Sequence, residues 1–182
     1  MLSETEILHD VTQKLDASGI AYMLTGSVAL SFYAQPRMTR DIDIVVAITE
    51  QDAPKILRAF SGDYYISPED VMDTVHGGPM FNIVHLQSVV KVDLIALPQT
   101  DFAAVQFQRR QQVNFGGFPI SIISREDLIL SKLVWAKDTQ SEVQRNDVRN
   151  LLGAECDIDY LQLWAENLGV IQDLETLMNQ NG

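Results

Sequence analysis

Asp41 and Asp43 stand one residue apart in the stretch DIDIVV. On an extended strand alternate side chains share a face, so both carboxylates project together while Ile42 and Ile44 point the other way. Two such charges on one face repel unless a cation lies between them, and hard oxygen ligands of this kind suit Mg²⁺ or Mn²⁺. Upstream, Gly26-Ser27 follows a short strand and opens a helix. A helix start offers unpaired backbone N–H groups and the positive end of the helix dipole, and the serine adds a hydroxyl; together they suit a phosphate. A phosphate cradle ahead of a dicarboxylate pair is equipment for metal-assisted phosphoryl or nucleotidyl transfer.

Other residues bear on the same chemistry. Asp93 alternates with Val92 and Leu94 on a later strand, which sets it on the face opposite those apolar side chains. There it is the candidate third carboxylate, able to ligate a metal and to take the proton of an incoming hydroxyl; otherwise it is a surface acid paired with Lys91. Arg37 and Arg40 precede the dyad and would offset the charge of a triphosphate or form ion pairs. Lys132 lies one helical turn beyond Leu128 and Ile129 on a helix that is apolar almost all round. A lysine in that arc either snorkels or is held for a phosphate. Asp147, on the next helical stretch, orients Lys132 or simply pairs with it.

The elements that must position these residues are legible in outline. Ser3 with Glu6 forms a capping box, and Ile7, Val11 and Leu15 carry a helical stripe to about residue 17. A strand over 21–25, the Gly-Ser helix over about 27–34 and a strand over 41–47 follow. Thr49 with Asp52 starts another helix, and Ser67-Pro68 a further one with proline in its first turn. Residues 81–87 and 90–97 read as a hairpin. A helix at 100–111 and strand material at 112–123, turning at Gly116-Gly117, close the sheet. From Ser124 the pattern is helical only: a long helix capped by Ser124 and Asp127, then helices near 140–152, 157–168 and 170–179. The expected fold is α/β (α+β), with a mixed sheet flanked by helices. Residues 1–123 are the expected catalytic core and 124–182 a helical cap packed as one unit with it.

Composition narrows the function further. The 182 residues are 46% hydrophobic and 21% charged, as in a soluble globular domain. The single cysteine, Cys156, forms no internal disulfide, so a reducing cytoplasm is the default compartment. No signal peptide and no apolar run of membrane-spanning length is seen, so no membrane is expected. His9, His76 and His85 lack zinc-like spacing. The net charge is −12, and the acid excess is spread over both parts: 8 basic against 14 acidic residues over 1–123, and 5 against 11 over 124–182. Binding along a polynucleotide needs a basic face that neither part has. A small nucleotide, a cationic small molecule or a local protein contact fits better than a long nucleic-acid track.

With Gly26-Ser27, thirteen intervening residues, Asp41-Ile-Asp43 and the later strand acid Asp93, the chain resembles the nucleotidyltransferase superfamily of DNA polymerase beta-like fold. The wording RMTRDIDIVV at 37–46 looks like minimal bacterial members, including nucleotidyltransferase toxins of the AbiEii kind. SREDLILSKLVWAK with RNDVRNLL is similar to the helix pair after the catalytic sheet in that group, where Lys132 and Asp147 match a recurring lysine and aspartate. The resemblance covers about residues 5–152. It implies Mg²⁺ (or Mn²⁺) held by Asp41, Asp43 and Asp93, and an NTP gripped by Gly26-Ser27 with Arg37 and Lys132. It also implies transfer of an NMP to an acceptor hydroxyl with release of pyrophosphate. The acceptor stays open between an RNA end or a protein, in a toxin-like role with an antitoxin partner, and a small molecule of antibiotic type. A non-catalytic nucleotide- or partner-binding module of the same fold is the remaining alternative.

Overall fold

The computed structural model describes residues 2–35, 41–153 and 155–181. Chain order begins with α1 (Glu4–Ala17), β1 (Tyr22–Thr25), α2 (Gly26–Tyr33) and β2 (Asp41–Val46). A short 3₁₀ turn (Glu50–Asp52) leads into α3 (Ala53–Phe60), β3 (Tyr64–Ile66), α4 (Pro68–Val75), β4 (Met80–His85) and β5 (Lys91–Ala96). Then come α5 (Asp101–Arg109), β6 (Gln111–Phe115), β7 (Phe118–Ile122), α6 (Arg125–Thr139), α7 (Glu142–Leu151), α8 (Ile158–Asn167) and α9 (Ile171–Asn181).

Local signals explain several boundaries. The Ser3 hydroxyl accepts from the Glu6 N–H while the Glu6 carboxylate accepts from the Ser3 N–H, which satisfies two orphan donors at the start of α1. Ser67 caps α4, Ser124 caps α6 and Asp157 caps α8, each accepting from the N–H three residues on. Thr49 and Asp52 also make a reciprocal box, but it closes a 3₁₀ turn before the α-helix begins at Ala53.

The strands form one seven-stranded mixed sheet among the described residues, in the order β3-β4-β5-β2-β1-β7-β6. β2 runs parallel to β5 and antiparallel to β1, and β4 and β5 form the expected antiparallel hairpin. One strand escaped the sequence pattern. β3 is three residues long, too short to show a period, and it pairs antiparallel with β4 at the sheet edge.

The sheet has two unlike faces. Ile42, Ile44, Leu24, Val92, Leu94, Phe81 and Ile83 point to one side and are buried in the core. On the other side the register aligns Thr25 with Asp43, Asp43 with Asp93, and Asp93 with Asn82. The alternation read from DIDIVV therefore puts the polar set on a single face, the one that is not packed shut. A single hydrophobic cluster takes in side chains of the sheet and of α6, α7, α8 and α9. Burial of this apolar surface is the main favourable term holding the helices to the sheet. No helix among the described residues is long and apolar enough to cross a membrane.

Candidate active site

The centre of the polar face is Asp43, with Thr25 beside it on β1 and Asp93 beside it on β5. Neighbouring strands lie about 4.8 Å apart, so two carboxylates in register sit close enough to repel. Burial first, then the charges of Asp93 and Asp41, push the Asp43 carboxyl up to about 6. Lys132 and Lys91 act in the opposite sense.

Asp93 is 8% exposed, not the surface acid its alternative reading describes. Its Oδ2 accepts from Lys91 Nζ at 2.9 Å. Its Oδ1 is buried and has no hydrogen-bond partner among the described residues. An orphaned carboxylate oxygen is costly away from water, and such atoms call for a cation or donor. Asp41, at the exposed start of β2, lies 3.6 Å from the same Lys91 ammonium. Lys91 thus stands between two of the three acids, held by their combined charge. Among the described residues no group of three or more His, Cys, Asp or Glu side chains is arranged to hold a metal ion. Of the three-ligand set expected from sequence, Asp43 and Asp93 are in register, while Asp41 is paired with Lys91.

Gly26 has φ +67°, and a Cβ there would lie 2.0 Å from Asp43 Oδ2. Both facts require glycine: the left-handed backbone and the close approach of the carboxylate. Gly26 is therefore tied to the acid as closely as to any phosphate. Ser27 is buried in the first turn of α2, where the leading N–H groups lack intrahelical acceptors.

Lys132 does not snorkel. It is 3% exposed, and its Nζ donates to Asp147 Oδ2 at 2.7 Å and to Gln144 Oε1 at 3.1 Å, joining α6 to α7. Asp147 is the pairing partner that the spacing allowed. The same lysine also lines a cleft with Gly26, Thr25 and Asp43. The cleft encloses about 220 Å³ and continues over Met23, Val45, Ile95 and Leu97 toward α5 and α6. Arg37 and Arg40 lie outside the described residues.

Several cleft residues went unread in the sequence. Gln106 and Ser131 are lone polar residues at helical positions, with no spacing to mark them. Trp135 belongs to the apolar run of α6, which reads as buried, yet it is 53% exposed at the cleft wall. Lys91 was legible only as a surface partner of Asp93.

An open mixed sheet with in-register acids beside a strand–glycine–helix turn defines a nucleotidyltransferase-like protein. The chain belongs to the family described as nucleotidyltransferase of unknown function (DUF6036), which it matches over residues 3–177. No curated protein matches it in sequence. In fold it is similar to an antigenic nucleotidyltransferase-like protein from Paracoccidioides brasiliensis, at 18% identity and TM-score 0.61, over 96% of this chain and 91% of that one. It is also similar to the lincosamide antibiotic adenylyltransferase LnuA, solved with lincomycin bound (18% identity, TM-score 0.55, 82% and 96% of the two chains). A third similar structure is ANT(2″)-Ia in complex with adenylyl-2″-tobramycin (12% identity, TM-score 0.52, 100% of both chains).

Proposed function

We propose that this protein is a metal-dependent nucleotidyltransferase that moves an NMP from an NTP to an acceptor hydroxyl and releases pyrophosphate. The observation that carries the reading is the register of Asp43 with Asp93, whose buried Oδ1 has no partner, in a fold of this family. Asp43 and Asp93, with Asp41 beside them, fit Mg²⁺ or Mn²⁺: the donors are hard oxygens, one of them orphaned and one held up in pKa by its acidic neighbours. A divalent ion bound there supplies charge neutralisation and Lewis acidity at the reacting phosphoryl group.

The chain's own residues do the rest. Gly26-Ser27 present the first N–H groups of α2 to the triphosphate, and Lys132, from across the cleft, offsets its charge. Asp93 accepts the proton of the acceptor hydroxyl as its oxygen bonds to the α-phosphorus and the bond to the bridging oxygen breaks. Arg37 and Arg40 add positive charge from the segment before β2. Positioning and electrostatics supply most of the rate in such transfers. Residues 1–123 act as the catalytic core and 124–182 as the cap that contributes Lys132.

A small molecule is the acceptor we favour. The net charge of −12 disfavours an RNA. Two proteins of similar fold are an antibiotic adenylyltransferase solved with lincomycin and one solved with adenylyl-2″-tobramycin. The RMTRDIDIVV wording supports the second reading, a toxin-like transfer to an RNA end or a protein, with an antitoxin as partner.

Thermal shift with each of the four NTPs, with Mg²⁺ and with EDTA, tests the donor site. A ligand bound only by the folded state raises apparent stability. We expect a metal-dependent shift that Asp43→Asn abolishes. No shift with any NTP overturns the reading in favour of a non-catalytic module.

A further inference from the structure

The cleft lined by Asp43 also has wall residues that the chemistry above does not use. Among the described residues its charged wall residues are Asp43 and Lys132, which line it together with Gly26. Asp93, which meets the acceptor, is not in the wall. The cleft is also walled by Ile95, Leu97, Pro98 and Leu128, and by the half-exposed Trp135. At about 220 Å³ it is smaller than the roughly 300–1,000 Å³ of sites for drug-sized ligands, and it suits one ring system rather than a macromolecule.

Two polar side chains face this apolar space, Gln106 of α5 and Ser131 of α6. Gln106 Nε2 donates to the Asp127 main-chain carbonyl at 3.2 Å and to Ser131 Oγ at 2.7 Å. A carbonyl oxygen can only accept, so this contact fixes which end of the amide is nitrogen. Both amide hydrogens are thereby used. Gln106 is 8% exposed, and no described residue donates to its Oε1. Ser131 Oγ already accepts from Gln106, so its O–H is left to donate. The pair thus offers a fixed acceptor beside a donor in an apolar slot with an aromatic wall. A nucleobase edge has the complementary pattern, and bases are read in this way, by edge hydrogen bonds and by stacking on aromatic side chains.

We infer that Gln106 and Ser131 read the base of the donor nucleotide, with Trp135 as its stacking wall, and so determine which NTP is used. The inference rests on the nucleotidyltransferase reading above and adds to it the residues that select the donor. The glutamine is locked by its neighbours: Asp127 and Ser131 fix its amide, while the serine hydroxyl keeps its O–H free to turn toward a ligand. A wrong base therefore leaves a buried polar group unpaired, which is the strong form of discrimination.

Calorimetric titration of the full chain with ATP, GTP, CTP, UTP and inorganic triphosphate, each with Mg²⁺, tests this. The wild type is expected to prefer one NTP by tenfold or more. Ser131→Ala, which leaves the Gln106–Asp127 bond in place, and Gln106→Leu should each reduce that preference to about threefold or less. Inorganic triphosphate should bind all three proteins equally. Trp135→Ala should weaken every NTP and leave triphosphate unchanged. General damage to the fold would weaken triphosphate as well, and the preference ratio is insensitive to it. Preference retained in both polar variants overturns the assignment, as does a wild type that binds triphosphate but ranks the four NTPs equally. If neither triphosphate nor any NTP binds with Mg²⁺, the donor reading itself fails and this inference falls with it.

Discussion

Asp43 is a half-buried acid beside two others, and its charged form is costly in the folded state. Its carboxyl is raised from 3.8 to about 6 by burial and by Asp93 and Asp41. A raised carboxyl contributes stability that is fully present below the unfolded value and is lost as pH rises through the folded one. Without metal, the folded protein should therefore lose stability between about pH 4 and pH 7 from this group alone, on the order of 2 kcal/mol once solvent access is discounted. Asp43→Asn removes the titration. In EDTA, its stability relative to wild type should rise across that pH range, as read by urea unfolding at pH 4, 5.5 and 7.5. Parallel profiles for the two proteins would show that Asp43 carries no such strain. Gly26 is the other residue with no substitute. In Gly26→Ala the new methyl meets Asp43 Oδ2 at a positive φ, which should cost on the order of 3 kcal/mol and displace the carboxylate. Loss of the Mg²⁺-dependent NTP shift at a temperature where the variant is still folded is the expected result. A variant of wild-type stability would mean the turn relaxes easily.

The α6–α7 pair joins two helices through a lysine that also lines the cleft. Lys132 and Asp147 form a buried ion pair, with Gln144 as a second acceptor. Removing one member of such a pair leaves a buried charge and typically costs about 3–5 kcal/mol, whereas replacing both by apolar groups is often neutral. Lys132→Met should therefore destabilise strongly, and Lys132→Met with Asp147→Leu should regain much of the loss. NTP affinity should stay low in both, because the cation facing the cleft is gone. A double variant that recovers stability and NTP binding together would reduce Lys132 to a structural role. The helix carrying this lysine was readable in sequence: Ser124 and Asp127 mark its start, and its apolar run marks its length. The lysine's partner was readable only as a possibility, because spacing along two helices does not fix the angle at which they pack. The hairpin and the capped helices were legible for the same local reason. β3 was not, since three residues at a sheet edge are defined by pairing with β4 rather than by any pattern of their own.

Across the whole molecule, legibility declines with the range of the interaction. The alternation in DIDIVV put both aspartates on one face, the alternation around Asp93 marked it as the third acid, and the sheet register sets it beside Asp43. That Lys91 would stand between Asp41 and Asp93 depended on β2 and β5 being parallel neighbours, which no local pattern states. The Gln106–Ser131 pair joins α5 to α6 and was equally out of reach. Net charge, by contrast, needs no fold to be read, and it bears on the acceptor. A chain of net charge −12 and pI near 4.5 repels a polyanion. A protein that docks on RNA through several phosphates releases counterions, and its affinity falls steeply with salt. Titration of a short single-stranded RNA at 50 and 200 mM salt with Mg²⁺ should therefore give weak binding and a slope of log affinity against log salt near zero. A small cationic polyol as acceptor should instead bind more tightly at low salt, drawn by the same field. A steep negative slope for the RNA would reverse the preference. It would mean that a basic surface forms from the few positive side chains, Arg37 and Arg40 among them, and would favour an RNA end as acceptor.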